Sequence, residues 1–244
     1  MSETPFQTLH KGLLREAPGS DASTLKALTA TGLAGPIRMV DMGCGPGAAA
    51  LLALQALPEA EITAIDTHQP YLETLRTRAD AAGLSARLET RCTDMATPGL
   101  PEASLDLILS EGALYFLGVE AGLKRWAPLL KPGGIVAFSE AIWIKRSPAE
   151  EAKLFWMDYP EMTNRAGVRQ RIANAGYDLL EEFVLPLEDW HAYLGPLGAR
   201  VEALRPGADE MMRQVLDGAE KETKLFERHG DSYAYAYFIA KRRL

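Results

Sequence analysis

The chain has 244 residues, enough for one α/β domain with additional helices, and it carries a formal net charge of −7 with a pI near 5.2. This acidic balance disfavours nonspecific binding to nucleic acid or to anionic membranes, because long-range electrostatics would be repulsive. The longest apolar run, near residues 48–57, is shorter than the roughly 20 residues of a membrane-spanning helix, so no integral membrane segment is expected.

Cysteine and histidine usage predicts a cytoplasmic protein without a bound metal. Cys44 and Cys92 lie too far apart for a C-x-x-C redox or metal site, and the first residues lack a signal-peptide pattern. The four histidines show no spacing typical of metal ligands.

Strand-length apolar segments alternate with helical patterns, and this alternation predicts a doubly wound, mostly parallel α/β sheet. In the last segment, alternate tyrosines from Tyr233 share one face and apolar residues from Ala234 share the other, which indicates an internal strand. Pro70 begins a helix that Gly83 ends, and the Lys131–Gly134 segment predicts a tight turn before the fifth strand. The predicted strands are 37–42, 61–65, 86–92, 105–110, 135–140, 177–185 and 233–241.

We expect a single domain over residues 1–244, with an N-terminal helical segment (1–35), a cofactor-binding core (36–145) and two helical cap insertions (146–164 and 187–230). In the first insertion, Ser147 and Glu150 have the spacing of a capping box at a helix start. The second insertion has an apolar helical stripe. The stripe consists of Ala208, Met211, Met212, Val215, Leu216 and Ala219.

Three glycines at alternate positions follow the first predicted strand, and an apolar helix follows them. Glycine tolerates positive φ and close approach of the backbone to a ligand, so side chains at Gly43 or Gly45 would occupy ligand space. Asp41, at the strand tip, would repel a pyrophosphate but attract a sulfonium or ammonium group. The turn by itself leaves a methyl donor, a nicotinamide or flavin cofactor, and simple close packing all open.

Acidic residues end the first four predicted strands, at the sheet edge where parallel sheets bind ligands. Asp66 lies where an acid accepts hydrogen bonds from ribose hydroxyls. Asp94 could accept from an adenine amino group while Met95 packs against the ring. Together with Asp41, these acids predict an adenosine-bearing cation more sharply than the glycines do.

At this point the sequence resembles the class I S-adenosylmethionine-dependent methyltransferases, over about residues 24–143. The matching motifs are V-D-M-G-C-G-P-G at 40–47, Asp66, T-D-M at 93–95, L-D-L-I-L-S-E-G at 105–112 and L-L-K-P-G-G at 129–134. The chain is also similar to a bacterial group related to the ubiquinone and menaquinone C-methyltransferases.

The resemblance implies a Rossmann-like, seven-stranded sheet whose antiparallel last strand lies between the fifth and sixth, and S-adenosyl-L-methionine as cofactor, with S-adenosyl-L-homocysteine as product. The cofactor-binding residues that it implies are Asp41, Gly43, Cys44, Gly45, Gly47, Asp66, Thr67, Asp94, Met95, Ser110 and Glu111.

The predicted function is methyl transfer from S-adenosylmethionine to a carbon, oxygen or nitrogen atom of a small molecule. An NAD(P)-binding oxidoreductase and a non-catalytic cofactor-binding protein stay open as alternatives. Glu111 is the first choice of general base and Tyr115 the second catalytic candidate, before Glu140, Tyr159 and His191, the last of which is interpreted as a packed or surface residue. A homodimer is a further expectation. The predicted walls of the acceptor pocket are Trp143, Phe155, Trp156, Tyr159 and Tyr193.

Overall fold

The computed structural model describes residues 3–243, which form one seven-stranded sheet and nine α-helices. The strands are β1 (Arg38–Met42), β2 (Glu61–Asp66), β3 (Leu88–Cys92), β4 (Leu105–Glu111), β5 (Leu130–Trp143), β6 (Tyr177–Val184) and β7 (Tyr233–Arg242). The helices are α1 (Pro5–His10), α2 (Asp21–Ala30), α3 (Ala48–Ala56), α4 (Gln69–Ala81), α5 (Val119–Trp126), α6 (Glu150–Phe155), α7 (Arg165–Asn174), α8 (Leu187–Leu204) and α9 (Glu210–His229).

The strand order is β3-β2-β1-β4-β5-β7-β6, with parallel pairing from β3 to β5. β7 pairs antiparallel with both β5 and β6, which confirms the predicted fold and the internal last strand. Reversal of strand order at β1 creates a crevice beyond the carboxyl ends of β1 and β4.

β5 is longer than the predicted 135–140 at both ends. The segment expected as a tight turn before it lies inside the strand, where the register jumps from the Leu105–Leu130 pair to the Leu107–Ile135 pair. Gly133, which lies between Leu130 and Ile135, has φ of +74°, a conformation that glycine adopts without strain. At the other end, pairing of Glu140 with Ala236 continues to Trp143 with Tyr233, because β7 supplies partners for the whole length.

Alternate residues of the sheet strands enter two separate apolar cores. On one face, Tyr233, Tyr235 and Tyr237 of β7 pack with helices that include α3, α8 and α9. On the other, Phe238 packs with residues of α5 and α7. Both faces of β7 are buried, as its sequence pattern predicted.

The helical layer above the strand tips includes the N-terminal helix as well as the two insertions. α1 packs against α8 and α9, and α6 also packs against α9. The expected capping box is wrong, because the N-cap of α6 is Ala149 and no side chain caps it. Met211, assigned to the apolar stripe, is 64% exposed, whereas Leu216 and Ala219 of the same helix are buried.

Within residues 3–243, no helix is both long and apolar enough to cross a bilayer. Over the same range, no three His, Cys, Asp or Glu side chains are grouped so that they could hold a metal ion.

Candidate active site

A cleft of about 620 Å³ opens at the carboxyl ends of β1, β2 and β4. Nine of the eleven predicted cofactor-binding residues line it: Asp41, Gly43, Cys44, Gly45, Asp66, Thr67, Asp94, Met95 and Glu111. The other two lie outside its lining. Gly47 is the N-cap of α3, and the Ser110 hydroxyl is buried and donates to the Met42 carbonyl at 2.9 Å.

The glycine turn is shaped by tight packing as well as by the cleft. Gly43 has φ of +74°, and a Cβ there would lie 2.5 Å from the Ala113 Cβ. Gly47 has φ of +85°, and a Cβ there would lie 2.2 Å from a methyl carbon of Leu75. Any other residue at either position would be strained in its backbone and would displace a neighbour. The turn therefore needs glycine for packing, in addition to its approach to the cleft.

Asp41 contributes to the cleft a buried carboxylate with one oxygen that accepts no hydrogen bond. The residue is 1% exposed, and its Oδ2 atom has no hydrogen-bond partner among residues 3–243. Burial raises the pKa of Asp41 well above its ordinary value, and the charges of Glu111 and Asp66 raise it further. A cationic ligand group beside Asp41 would compensate this desolvated acid.

Asp66 and Asp94 stand at the tips of β2 and just beyond β3. The Asp66 carboxylate accepts the amide of Gly45 at 2.9 Å and that of His68 at 2.8 Å, so it is fixed against the glycine turn. Asp94 accepts the amide of Ala96 at 2.7 Å and is exposed. Both carboxylates border the cleft and retain lone pairs for ligand hydroxyl or amino groups.

Glu111 is held by a network that the sequence did not predict. Arg15 donates to Glu111 Oε2 at 2.6 Å, and Thr24 donates to Oε1 at 2.5 Å. The Tyr237 hydroxyl also donates to Oε1, and Arg15 bonds Asp21 at 2.8 Å. The Glu111 carboxylate thus accepts hydrogen bonds from three side chains, of Arg15, Thr24 and Tyr237.

A second cavity of about 500 Å³ adjoins the cleft beneath the cap helices. The two share Phe6, Glu16, Ala17, Pro18, Gly112 and Tyr115 in their linings. Four of the five predicted acceptor-pocket aromatics, Phe155, Trp156, Tyr159 and Tyr193, line the second cavity. Trp143 does not, because its ring packs edge-on against Tyr233.

Tyr115 stands at the junction of the two cavities. Burial raises its pKa to about 12, with further contributions from the charges of Glu140 and Glu222. Its hydroxyl therefore stays protonated at neutral pH and can donate a hydrogen bond, but it cannot act as a base. The Tyr159 ring lies 5.7 Å away between centroids.

Glu140 and Tyr159, which were both candidate bases, line the second cavity. Glu140 is 2% exposed; burial raises its pKa to about 8, and the Ala141 amide and the Tyr159 hydroxyl offset this only in part. His191, by contrast, is exposed beside Phe226 and lines neither cavity.

The sequence did not predict three further ionisable residues that border the cavities. His10 Nδ1 lies 2.5 Å from Glu16 Oε2, and this pair places α1 against both cavities. Glu222 faces the second cavity from α9, and burial raises its pKa to about 7. A signal for Glu222 existed, because it continues the stripe of Met212, Val215 and Ala219 at helical spacing; no comparable signal marks His10 or Glu16.

Comparison with known proteins agrees with this arrangement. Residues 39–134 match the family model described as a methyltransferase domain. A trans-aconitate 2-methyltransferase from Methylobacterium radiotolerans is 37% identical over 106 residues, which cover 43% of this chain and 38% of that protein. A trans-aconitate 2-methyltransferase from Paracidovorax citrulli is 29% identical over 171 residues, covering 66% and 63%. The chain thus spans between about two fifths and two thirds of the length of these relatives.

Among solved structures, a SAM-dependent methyltransferase from Geobacter sulfurreducens in complex with S-adenosyl-L-homocysteine superposes with a TM-score of 0.87. The match covers 98% of both chains at 18% sequence identity, so it establishes a common fold. Together these similarities confirm the predicted resemblance to the class I S-adenosylmethionine-dependent methyltransferases. The narrower similarity to the ubiquinone and menaquinone C-methyltransferases stays a prediction.

Proposed function

We propose, on the premise that this chain is a class I S-adenosylmethionine-dependent methyltransferase, that it transfers the methyl group of S-adenosylmethionine to a small-molecule acceptor. One observation carries the proposal. The cleft bordered by the acids of four strand ends opens into an aromatic cavity, and the two meet at Gly112 and Tyr115. A donor in the cleft and an acceptor in the cavity would therefore meet at that junction.

The residues of the cleft fit the donor in charge and in shape. Asp66 would accept the ribose hydroxyls, Asp94 the adenine amino group, and Met95 would pack against the adenine ring. Asp41, with its unpartnered Oδ2, would compensate positive charge at the methionyl end. Arg15, already bonded to Glu111 in the cleft lining, would face the methionyl carboxylate.

Methyl transfer requires alignment more than proton chemistry. The acceptor atom attacks the methyl carbon in line, the carbon–sulfur bond breaks with its electron pair moving to sulfur, and S-adenosylhomocysteine leaves. Tyr115 would position the acceptor by donating a hydrogen bond. Glu111 would hold the cofactor side of the junction through Arg15 rather than accept a proton.

Calorimetry on the purified chain tests the proposal. We expect S-adenosylhomocysteine to bind and NADH not to bind, and Asp66→Ala to lower the S-adenosylhomocysteine affinity by roughly 100-fold, since it removes two ligand hydrogen bonds and two backbone contacts. Asp178→Ala, on the far strand β6, is the matched control.

Two results would point elsewhere. Binding of NADH alone would support an oxidoreductase. Binding of S-adenosylhomocysteine without any product, when methyl-labelled cofactor is incubated with a metabolite extract, would support the non-catalytic alternative.

A cytoplasmic location and a lack of nucleic-acid partners also belong to the proposal. Their support is the net charge of −7 and the small-molecule size of both cavities. The homodimer stays a prediction that light scattering of the purified protein would test.

A further inference from the structure

We infer that the methyl acceptor is a small organic amine, which enters the second cavity as an ammonium ion and is held there by Glu140 and by aromatic rings. This inference rests on the proposed function and specifies the acceptor class, which that proposal leaves open.

The charges that line the second cavity favour a cation. Four carboxyl groups border it, from Glu16, Glu140, Asp158 and Glu222. Among the described lining residues, His10 is the one basic side chain, and it is already bonded to Glu16. An acceptor with a carboxylate or phosphate group would meet net repulsion here, whereas an ammonium ion would be attracted.

Glu140 is the residue that most clearly requires a ligand. Its Oε1 accepts the amide of Ala141 at 2.9 Å, but its buried Oε2 has no hydrogen-bond partner among residues 3–243. The Tyr159 hydroxyl faces the carboxylate, and the charges of Arg171 on α7 and of Glu161 act on it, but no ion pair with Glu140 forms in the described part of the chain. Burial raises the pKa of Glu140 to about 8, so without a ligand this carboxyl is largely protonated at neutral pH. A bound ammonium would supply a donor to Oε2 and an adjacent positive charge that lets the carboxyl ionise.

Seven aromatic side chains line the cavity beside these charged groups. Rings so placed attract cations through their negative faces, and more strongly once water is excluded. Phe155 and Trp156 meet edge to face at 5.5 Å between centroids, which leaves ring faces turned in different directions. The seven rings are those of Phe6, Tyr115, Phe155, Trp156, Tyr159, Tyr193 and Tyr235.

The charge changes during the reaction also favour an amine over a phenol. A phenol must become an anion before attack, among four carboxyl groups. An ammonium gives a proton to the Glu140 carboxylate, and the neutral nitrogen then attacks the methyl carbon while the carbon–sulfur bond breaks. The products are S-adenosylhomocysteine and the methylated ammonium. The cavity therefore holds a cation both before the reaction, as substrate, and after it, as product.

Calorimetry with three probes of one shape tests the inference. The full chain is saturated with S-adenosylhomocysteine and titrated with 2-phenylethylamine, 2-phenylethanol and 3-phenylpropionate at pH 7.5, with trans-aconitate as a polyanionic probe. We expect the amine to bind at least about tenfold more tightly than the alcohol, and neither anion to bind measurably.

Two variants locate the effect. Glu140→Gln should lower the affinity for 2-phenylethylamine by roughly tenfold, the value of one well-formed charged contact, and leave the S-adenosylhomocysteine affinity within about twofold. Glu222→Gln should lower the amine affinity less, since Glu222 is only half-buried. Glu202→Gln, on the exposed face of α8, is the control that should change neither affinity.

The outcomes separate this inference from the proposed function. If S-adenosylhomocysteine does not bind the unmodified chain, the proposed function fails. If it binds, but the three probes bind alike or an anion binds most tightly, the amine inference alone is overturned. An amine affinity unchanged in a folded Glu140→Gln variant would also overturn it. If that variant does not fold, the probe ranking on the unmodified chain and on Glu222→Gln decides.

Discussion

Arg15 donates to the Glu111 carboxylate across 2.6 Å, and this ion pair joins the N-terminal segment to the tip of β4. Both side chains are mostly buried, at 12% and 15% exposed. Ala17, two residues after Arg15, fits against Gly112, where a Cβ would lie 2.5 Å from the Ala17 Cβ. The N-terminal segment is therefore part of the candidate active site, even though it precedes the sheet by more than twenty residues.

Replacing Glu111 should destabilise the protein and loosen this junction. Glu111→Gln leaves the largely buried Arg15 with the exposed Asp21 carboxylate as its remaining charged partner, so we expect a loss of about 2–3 kcal/mol in the free energy of unfolding. Denaturant titration measures it. Glu120→Gln, which weakens an exposed pair with Lys124, should leave the unfolding midpoint nearly unchanged. Equal losses for the two substitutions would mean that the Arg15–Glu111 pair stabilises the fold no more than the exposed Glu120–Lys124 pair does.

Replacing Gly43 by alanine should lower the free energy of unfolding more than the same replacement at another glycine of positive φ. Gly43→Ala combines backbone strain with a 2.5 Å contact to Ala113, and we expect it to lower the free energy of unfolding by roughly 2–4 kcal/mol. Gly12→Ala has φ of +86° but no atom within 4 Å, so it reports the strain alone, at about 1 kcal/mol. The double variant with Ala113→Gly should recover the difference. Chemical denaturation of the three variants checks this ranking.

Glu140 should make the unliganded protein less stable as the pH rises. Its folded pKa of about 8 lies above the ordinary 4.5, so the unfolded chain releases this proton first and stability is lost between about pH 5 and pH 8. Arg171 and the Tyr159 hydroxyl face the carboxylate and favour its ionised form, while the charge of Glu161 opposes it.

Unfolding experiments at pH 5.5 and pH 8.5 measure this effect. We expect the unmodified chain to lose roughly 1–3 kcal/mol more over this interval than Glu140→Gln does. Glu222, with a pKa of about 7, also lowers the stability as the pH rises. Glu222→Gln should therefore remove its own part of the pH-dependent loss in unfolding free energy. Parallel pH profiles for the unmodified chain and Glu140→Gln would contradict the prediction.

The two cysteines should differ sharply in reactivity. Cys92 is exposed, whereas Cys44 is buried in the cleft lining, and burial with the charges of Asp41 and Asp66 raises the pKa of Cys44 well above its ordinary value. A thiol reagent at pH 8 should therefore label one thiol quickly in the folded protein and the second only after denaturation. Cys92→Ser should abolish the fast phase. A fast phase that survives in Cys92→Ser would show that Cys44 is accessible.

Local pattern in the sequence determined the sheet and the cofactor side of the site. Strand-length apolar runs give the order of elements, and the acids after them meet at one edge because the carboxyl ends of parallel strands share that edge. Asp41, Asp66, Asp94 and Met95 could thus be located from their positions after the strands. The apolar faces of the last strand likewise predicted its internal place.

Tertiary structure alone decided what these side chains do once they are together. Glu111 looks like a free acid at a strand end, but Arg15 and Thr24 reach it from the N-terminal segment and Tyr237 reaches it from β7. The isolation of Glu140 depends on which helices cover β5, and Glu222 enters the cavity only because α9 packs over the strand ends. Such contacts join residues about 80 to 130 positions apart, and no local pattern encodes them, because burial and pairing of charge are set by the packing of whole elements.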